Sequence, residues 1–202
     1  MAIINGYCTL AEIRASGRFP AGDTTDDALL ERAVEAASRR IDGYCGRWFY
    51  KTSSTAISFY PVNIYIVATQ DIANTTITVK TDNDGDGVFE TTWVSGTDYI
   101  LEPLNSSLNS FPYRRIVAIS GKTFPLYVQP RLPSVQVTAF WGFDSVPHEV
   151  REATVILALR IYQRANSALG VAGFNDLGAV LVRNVDPDVQ EMLKKYVIPG
   201  IA

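Results

Sequence analysis

A chain of 202 residues and 22.2 kDa can bury one sizeable core, or a core with a second small layer, so no more than two domains are expected. Hydrophobic residues make up 47% and charged residues 19%, which excludes the composition of a disordered chain. A net charge of -3 argues against a surface built to neutralise phosphates along a duplex, so tight nucleic-acid binding is not expected.

The start lacks a basic segment followed by a long apolar one, and no run of about 18 apolar residues occurs. These features predict a soluble, unsecreted chain with no membrane partner. Thr9 and Glu12 match a capping box, predicting a helix from Leu10 to Ser16 that stops at Gly17. From Asp26, Leu30, Val34, Ala37, Ile41, Tyr44 and Trp48 recur at steps of four and three, the stripe of an amphipathic helix. Glu31, Arg32, Glu35, Arg39 and Arg40 occupy the other face, with Glu35 placed to pair with Arg39 one turn later. Cys8 and Cys45 form neither a CxxC pair nor a disulfide framework, and both are read as reduced and buried.

Between residues 55 and 141 the pattern changes. TAISFYPV, NIYIVAT, TTITVKT, VFETTWV, TDYILEP, RRIVAIS and SVQVTAFWGF are short, rich in β-branched and aromatic residues, and separated by turn formers. Seven strands with no helix between them predict an antiparallel sandwich or barrel. Within this region DNDGDGVFE begins like a calcium loop, but the twelfth position, where an EF-hand needs a bidentate Glu, is Trp93, and neither flank is helical. An EF-hand is therefore excluded. A simpler cage of Asp82, Asp84, Asp86 and Glu90 with the Val88 carbonyl competes with a plain hairpin tip, for which Asp-Gly pairs are sufficient. The turn is the preferred reading, so no metal and no cofactor is assigned, with calcium as the alternative.

PHEVREATVILALRIYQRANSAL then returns to helical periodicity, with Val150, Ala153, Leu157 and Ile161 on one face. Arg160 and Arg164 lie one turn apart, with Arg151 earlier on the same helix. Gly170, Gly173 and Gly178 punctuate the loop that follows. A short strand is expected at Ala179–Arg183 and a last helix over Asp186–Tyr196, opened by Pro187. The sole histidine, His148, sits in a first helical turn, and no Ser-His-Asp or Cys-His arrangement forms without it. The expected architecture is α+β, with residues 1–52 and 142–202 forming a helical domain and 53–141 an inserted antiparallel β domain.

Several of these segments carry a family resemblance. VTAFWGFDSVPHEVREAT, RIYQRANSALGVAGF, DPDV, TLAEIRA and DDALLERAVEAASRRIDGYCGRWF resemble the head-tail connector proteins of long-tailed phages, also called adaptor or head-completion proteins. The resemblance covers about half the chain. It implies a structural virion protein of the head-tail neck, assembled in the host cytoplasm as a dodecameric homo-oligomeric ring beneath the portal protein. Such a ring extends the DNA channel without sequence-specific binding and offers a surface to a tail-side neck or stopper protein. Similar connectors dock through their C-terminal segment, and a last helix too short to stand alone needs a surface for Val189, Met192, Leu193 and Tyr196, with Ile198 and Ile201 beyond it; these are read as partner-binding residues, the alternative being that the helix packs back on its own domain. By their spacing Arg160 and Arg164 form a second patch, or else pair with Glu149, Glu152 or the Asp residues of the last helix. On this reading, removing residues 184–202 leaves a folded monomer that no longer binds portal. The competing reading is a calcium-dependent carbohydrate-binding or adhesion module using Trp93, Tyr99 and Trp141 as stacking platforms. An enzyme would have only scattered carboxylates such as Glu90 and Asp98, so no catalytic residue is assigned.

Overall fold

A computed structural model of the chain describes residues 2–17, 19–20, 22–127, 132–166, 174–175, 178–179 and 187–198. The chain divides into two units, Met1–Tyr50 with Val146–Ala202, and Lys51–Ser145. The first is helical and the second β-rich, so the fold is α+β.

In the helical unit α1 spans Leu10–Ser16 and α2 spans Asp27–Cys45. The capping box forms as expected: the Glu12 N–H donates to Thr9 Oγ1 at 3.2 Å and the Thr9 N–H donates to the Glu12 carboxylate at 2.7 Å. Leu30, Val34, Ala37 and Ile41 are buried on α2. The helix stops at Gly46, whose φ of +67° suits glycine, so Trp48 falls outside the helix and Tyr44 stays partly exposed. Cys8 and Cys45 are free and buried, and burial pushes both thiols up to about 12.

The charged face of α2 does more than meet solvent. Glu35 does not serve Arg39. Its carboxylate accepts the N–H groups of Ile4 at 2.6 Å and Asn5 at 3.1 Å. Arg39 instead pairs with Asp42 at 2.9 Å, donates to the Asn5 carbonyl at 3.0 Å, and lies over the rings of Tyr7 and Tyr50. The N-terminal strap, about 30 residues upstream in sequence, outcompetes the neighbour one helical turn away.

Helix α3, His148–Asn166, packs on α2, and α4, Pro187–Leu193, packs on α3. Val150, Ala153 and Leu157 are buried and Ile161 is half-buried. Arg151 reaches Glu12 at 3.4 Å, joining α3 to α1. A 3₁₀ turn, Lys194–Tyr196, continues α4. Two-residue strands β8, Phe174–Asn175, and β9, Gly178–Ala179, pair antiparallel, and the rest of the strand expected at 179–183 lies outside the described residues. Gly170 and Gly173 also lie outside them.

The β unit holds β1 Thr55–Phe59, β2 Ile66–Ile72, β3 Thr78–Thr81, β4 Thr91–Trp93, β5 Tyr99–Glu102, β6 Tyr113–Ala118 and β7 Val135–Ala139. They form two antiparallel sheets, in the orders β1-β7-β3-β4 and β2-β6-β5. Neither sheet closes on itself, so the barrel alternative falls away. Burial alternates along β7, where Val135, Val137 and Ala139 are buried, and along β5, where Tyr99 and Leu101 are. That period of two gives each sheet one core face. Trp93 stacks on Phe124 with ring centroids 4.5 Å apart, deep in this core.

Candidate functional site

The DNDGDG stretch is the tip between β3 and β4. Asp82, Asp84, Asp86 and Glu90 each place a carboxylate oxygen within 4.8 Å of the others, a donor set of the type calcium takes. Asp82 is nevertheless provided for by the protein. It accepts N–H bonds from Gly85 at 2.7 Å, Gly87 at 2.9 Å and Asp84 at 3.2 Å, and the Tyr127 hydroxyl reaches its carboxylate at 3.2 Å and its carbonyl at 2.6 Å. Burial pushes the Asp82 carboxyl up, but these donors together outweigh it and hold the group below its usual range. Gly85 and Gly87 take φ of +82° and +88°, which lets the chain wrap the carboxylate. The tip is therefore complete as a turn, and adding EDTA is expected to leave the melting temperature unchanged in differential scanning fluorimetry. A fall on chelation that calcium reverses would show that the carboxylates need an ion.

The C-terminal segment forms the second candidate. Val189, Leu193 and Tyr196 are buried, while Met192 and Ile198 are half-buried. The Tyr196 ring meets Phe49 edge-on at 5.5 Å, and the Ile198 N–H donates to the Cys45 carbonyl at 3.0 Å. Glu149 clamps the turn, accepting from Lys195 Nζ at 2.5 Å and from the Tyr196 hydroxyl at 2.9 Å. Three of the proposed partner-binding side chains are thus spent inside their own unit. Ile201 lies outside the described residues. The expectation that residues 184–202 can be removed without harm to the fold is corrected: that deletion strips three buried side chains from the helical core, and a short helix depends on such contacts. Arg160 is half-buried and Arg164 exposed on α3.

The Glu149 clamp has a pH signature. The Lys195 hydrogen bond, with that of the Glu149 backbone N–H and a smaller one from Tyr196, holds the Glu149 carboxyl down at about 2 from the usual 4.5. A depressed carboxyl stabilises the fold above its unfolded value and loses that contribution as pH falls from about 4.5 towards 2. The protection factor of the Ile198 amide, measured by hydrogen exchange, is expected to fall across that window in the wild type and to stay flat in Glu149→Gln. An equal fall in both would show that another group governs the attachment.

The aromatic platforms of the carbohydrate-binding alternative are not available. Trp93, Tyr99 and Trp141 are 5%, 1% and 2% exposed. Their indole N–H groups are also used internally, Trp93 on Thr81 Oγ1 and Trp141 on the Thr55 carbonyl. A sugar needs a ring face open to water, so this correction removes the main support for that reading. His148 is exposed beside Glu152, and Asp98 caps the Val94 N–H at 2.8 Å and pairs with Lys122. Glu90 belongs to the tip cluster, so the two scattered carboxylates are not brought together as an acid–base pair.

Sequence reasoning passed over Tyr60, Val62, Ile64 and Tyr65, which are exposed in the link between β1 and β2. The signal was present, since Ser53 to Gln70 contains no charged residue.

No family model matches the chain, and no curated protein matches it. Solved structures do. The neck of an empty GTA particle, computed with C6 symmetry, and the neck of a native GTA particle, computed with C12 symmetry, each contain a chain 17% identical to this one with a TM-score of 0.57. Each match covers 100% of this chain and 97% of the other. The virion of a native gene transfer agent particle matches at 18% identity and a TM-score of 0.52, with the same coverage. At such identities the likeness is one of fold, and it extends over both units. Among the described residues no helix is long and apolar enough to cross a membrane.

Proposed function

We propose that this chain is a structural protein of the neck of a phage-like particle, where copies form a ring beneath the portal, connect head to tail and extend the DNA channel. The observation that carries this reading is the end-to-end likeness of fold to chains of gene transfer agent necks, covering both chains almost completely. Twelve copies suit a neck of C12 symmetry. The head-tail connector resemblance of the first and last segments points the same way. The mildly acidic balance fits a channel through which DNA must slide, because every phosphate contact adds affinity and hence friction. No catalytic step belongs to this reading.

In this role Val189, Leu193 and Tyr196 stay on their own unit, and the C-terminal segment docks on the portal through Met192 and Ile198, which that unit leaves half-buried. A tail-side neck or stopper protein covers the opposite end of the ring. Co-sedimentation of the full chain with purified portal tests the assignment. The chain is expected to pellet with portal, and a folded chain that stays in the supernatant at every concentration would refute it.

A further inference from the structure

The turn that follows α4 is held by contacts from distant parts of its unit. Lys194–Tyr196 is a single 3₁₀ turn, and so short a piece of helix has no stability of its own. The Tyr196 ring is buried against Phe49. Lys195 Nζ and the Tyr196 hydroxyl, on adjacent residues, both donate to the carboxylate of Glu149, one to each oxygen. Two residues further on, the Ile198 N–H donates to the carbonyl of Cys45. Cys45 is the last residue of α2, and such a carbonyl has no acceptor role within its own helix, so it is open to an outside donor. The first turn of α3 and the last of α2 therefore grip the two ends of Lys195–Ile198.

Burial explains only part of this arrangement. Tyr196 fills a core position, but the Lys195 and Glu149 side chains are 52% and 42% exposed. Their ion pair covers no core, and pairs so open to water contribute little to stability. Its effect is geometric. Two donors on the two oxygens of one carboxylate fix the rotation of the turn, which ring packing alone leaves loose. The stretch held in this way lies between Met192 and Ile198, the two half-buried apolar residues assigned to the portal.

We infer that Glu149 is a positioning residue for portal docking: acting through Lys195 and Tyr196, it holds the Lys194–Ile198 turn in the conformation in which Met192 and Ile198 engage the portal together. A segment already fixed in its bound conformation loses less freedom on binding. If the competent conformer is only partly populated, the apparent affinity falls by that fraction. The inference rests on the neck reading, which supplies the portal as partner but gives Glu149 no part in the contact.

Two full-length variants test it, Glu149→Gln and Lys195→Met, each measured for affinity to immobilised portal by surface plasmon resonance. Each is expected to bind about tenfold more weakly than wild type, as follows if the competent conformer drops to about one-tenth. The double variant should bind no more weakly than Glu149→Gln, because both changes undo the same clamp. Lys195→Met alters an exposed side chain, so it keeps the test open should Glu149→Gln fold poorly. Hydrogen exchange separates positioning from general loosening. In the free variants the Ile198 amide should exchange faster while the amides of α2 keep their protection, and on portal the Ile198 amide should be as protected as in wild type.

Unchanged or tighter binding by both variants would overturn the assignment, and tighter binding would mean that the clamp holds the segment away from the portal. Weaker binding accompanied by faster exchange along α2 would also overturn it, since Glu149 would then be supporting the fold as a whole. A wild type that does not bind portal sinks the neck reading and this inference with it, whereas failure of the variants alone leaves the neck reading standing.

Discussion

Trp141→Ala is expected to cost about 3–5 kcal/mol in urea unfolding of the β unit, the range for removing a large buried aromatic side chain. Trp141 is 2% exposed and, just past the end of β7, ties β1 to β2. Its backbone exchanges bonds with Thr52, its N–H donating to Thr52 Oγ1 and its carbonyl accepting the Thr52 N–H, both at 2.9 Å. Its indole N–H donates to the Thr55 carbonyl at 2.9 Å, its ring lies 5.7 Å from that of Phe59, and it bridges to Ile72 at the end of β2. Trp141→Phe keeps most of the apolar volume and forfeits mainly one hydrogen bond, which should cost far less, about 1–2 kcal/mol. Equal losses in the two variants would mean that the hydrogen bond, not the packing, secures the core.

Tyr7→Phe is expected to destabilise the helical unit by about 3 kcal/mol, although it removes a single oxygen, because two partners lose it at once. The Tyr7 hydroxyl donates to Asp42 and accepts the buried Phe49 N–H at 2.8 Å. Burial, with the Asp42 carboxylate next, pushes the phenol well above its usual range, so it remains a donor at all ordinary pH. Burial likewise pushes the Asp42 carboxyl up, against the hydrogen bond from Tyr7 and the charge of Arg39. Removing the hydroxyl therefore orphans an amide and deprives a half-buried carboxylate of its neutral donor. The loss should appear in thermal unfolding, together with faster exchange of the Phe49 amide. A change below about 0.5 kcal/mol, the scale of an ordinary surface substitution, would show that water replaces the hydroxyl.

What could be read in advance followed the range of the interactions. Thr9 and Glu12 cap α1 across three residues, and the α2 stripe from Leu30 to Ile41 depends only on helical spacing. The turn chemistry of DNDGDG was legible for the same reason, since Asp82 binds amides within five residues. Strand pairing was not legible. β1 finds its partner β7 some 80 residues later, with Thr55 opposite Ala139, and nothing local encodes that choice. The burial of Trp93, Tyr99 and Trp141 was lost with it, because alternation shows that a strand has two faces but not which one meets the core. The Glu35 assignment failed for a related reason, as a distant strap supplied better donors than the neighbouring arginine. In the C-terminal segment the apolar positions were legible, but Val189, Leu193 and Tyr196 could serve an outside partner or their own unit equally well on spacing alone. The Phe49 ring and the Glu149 carboxylate, both far away in sequence, turn them inward.

The neck assignment stands or falls on where the protein sits, and electron microscopy of the purified chain with and without portal observes that directly. The account predicts a closed ring coaxial with the portal, with its lumen in line with the portal channel. Portal particles that show no added density at saturating protein, or density scattered over their outer surface, would contradict it.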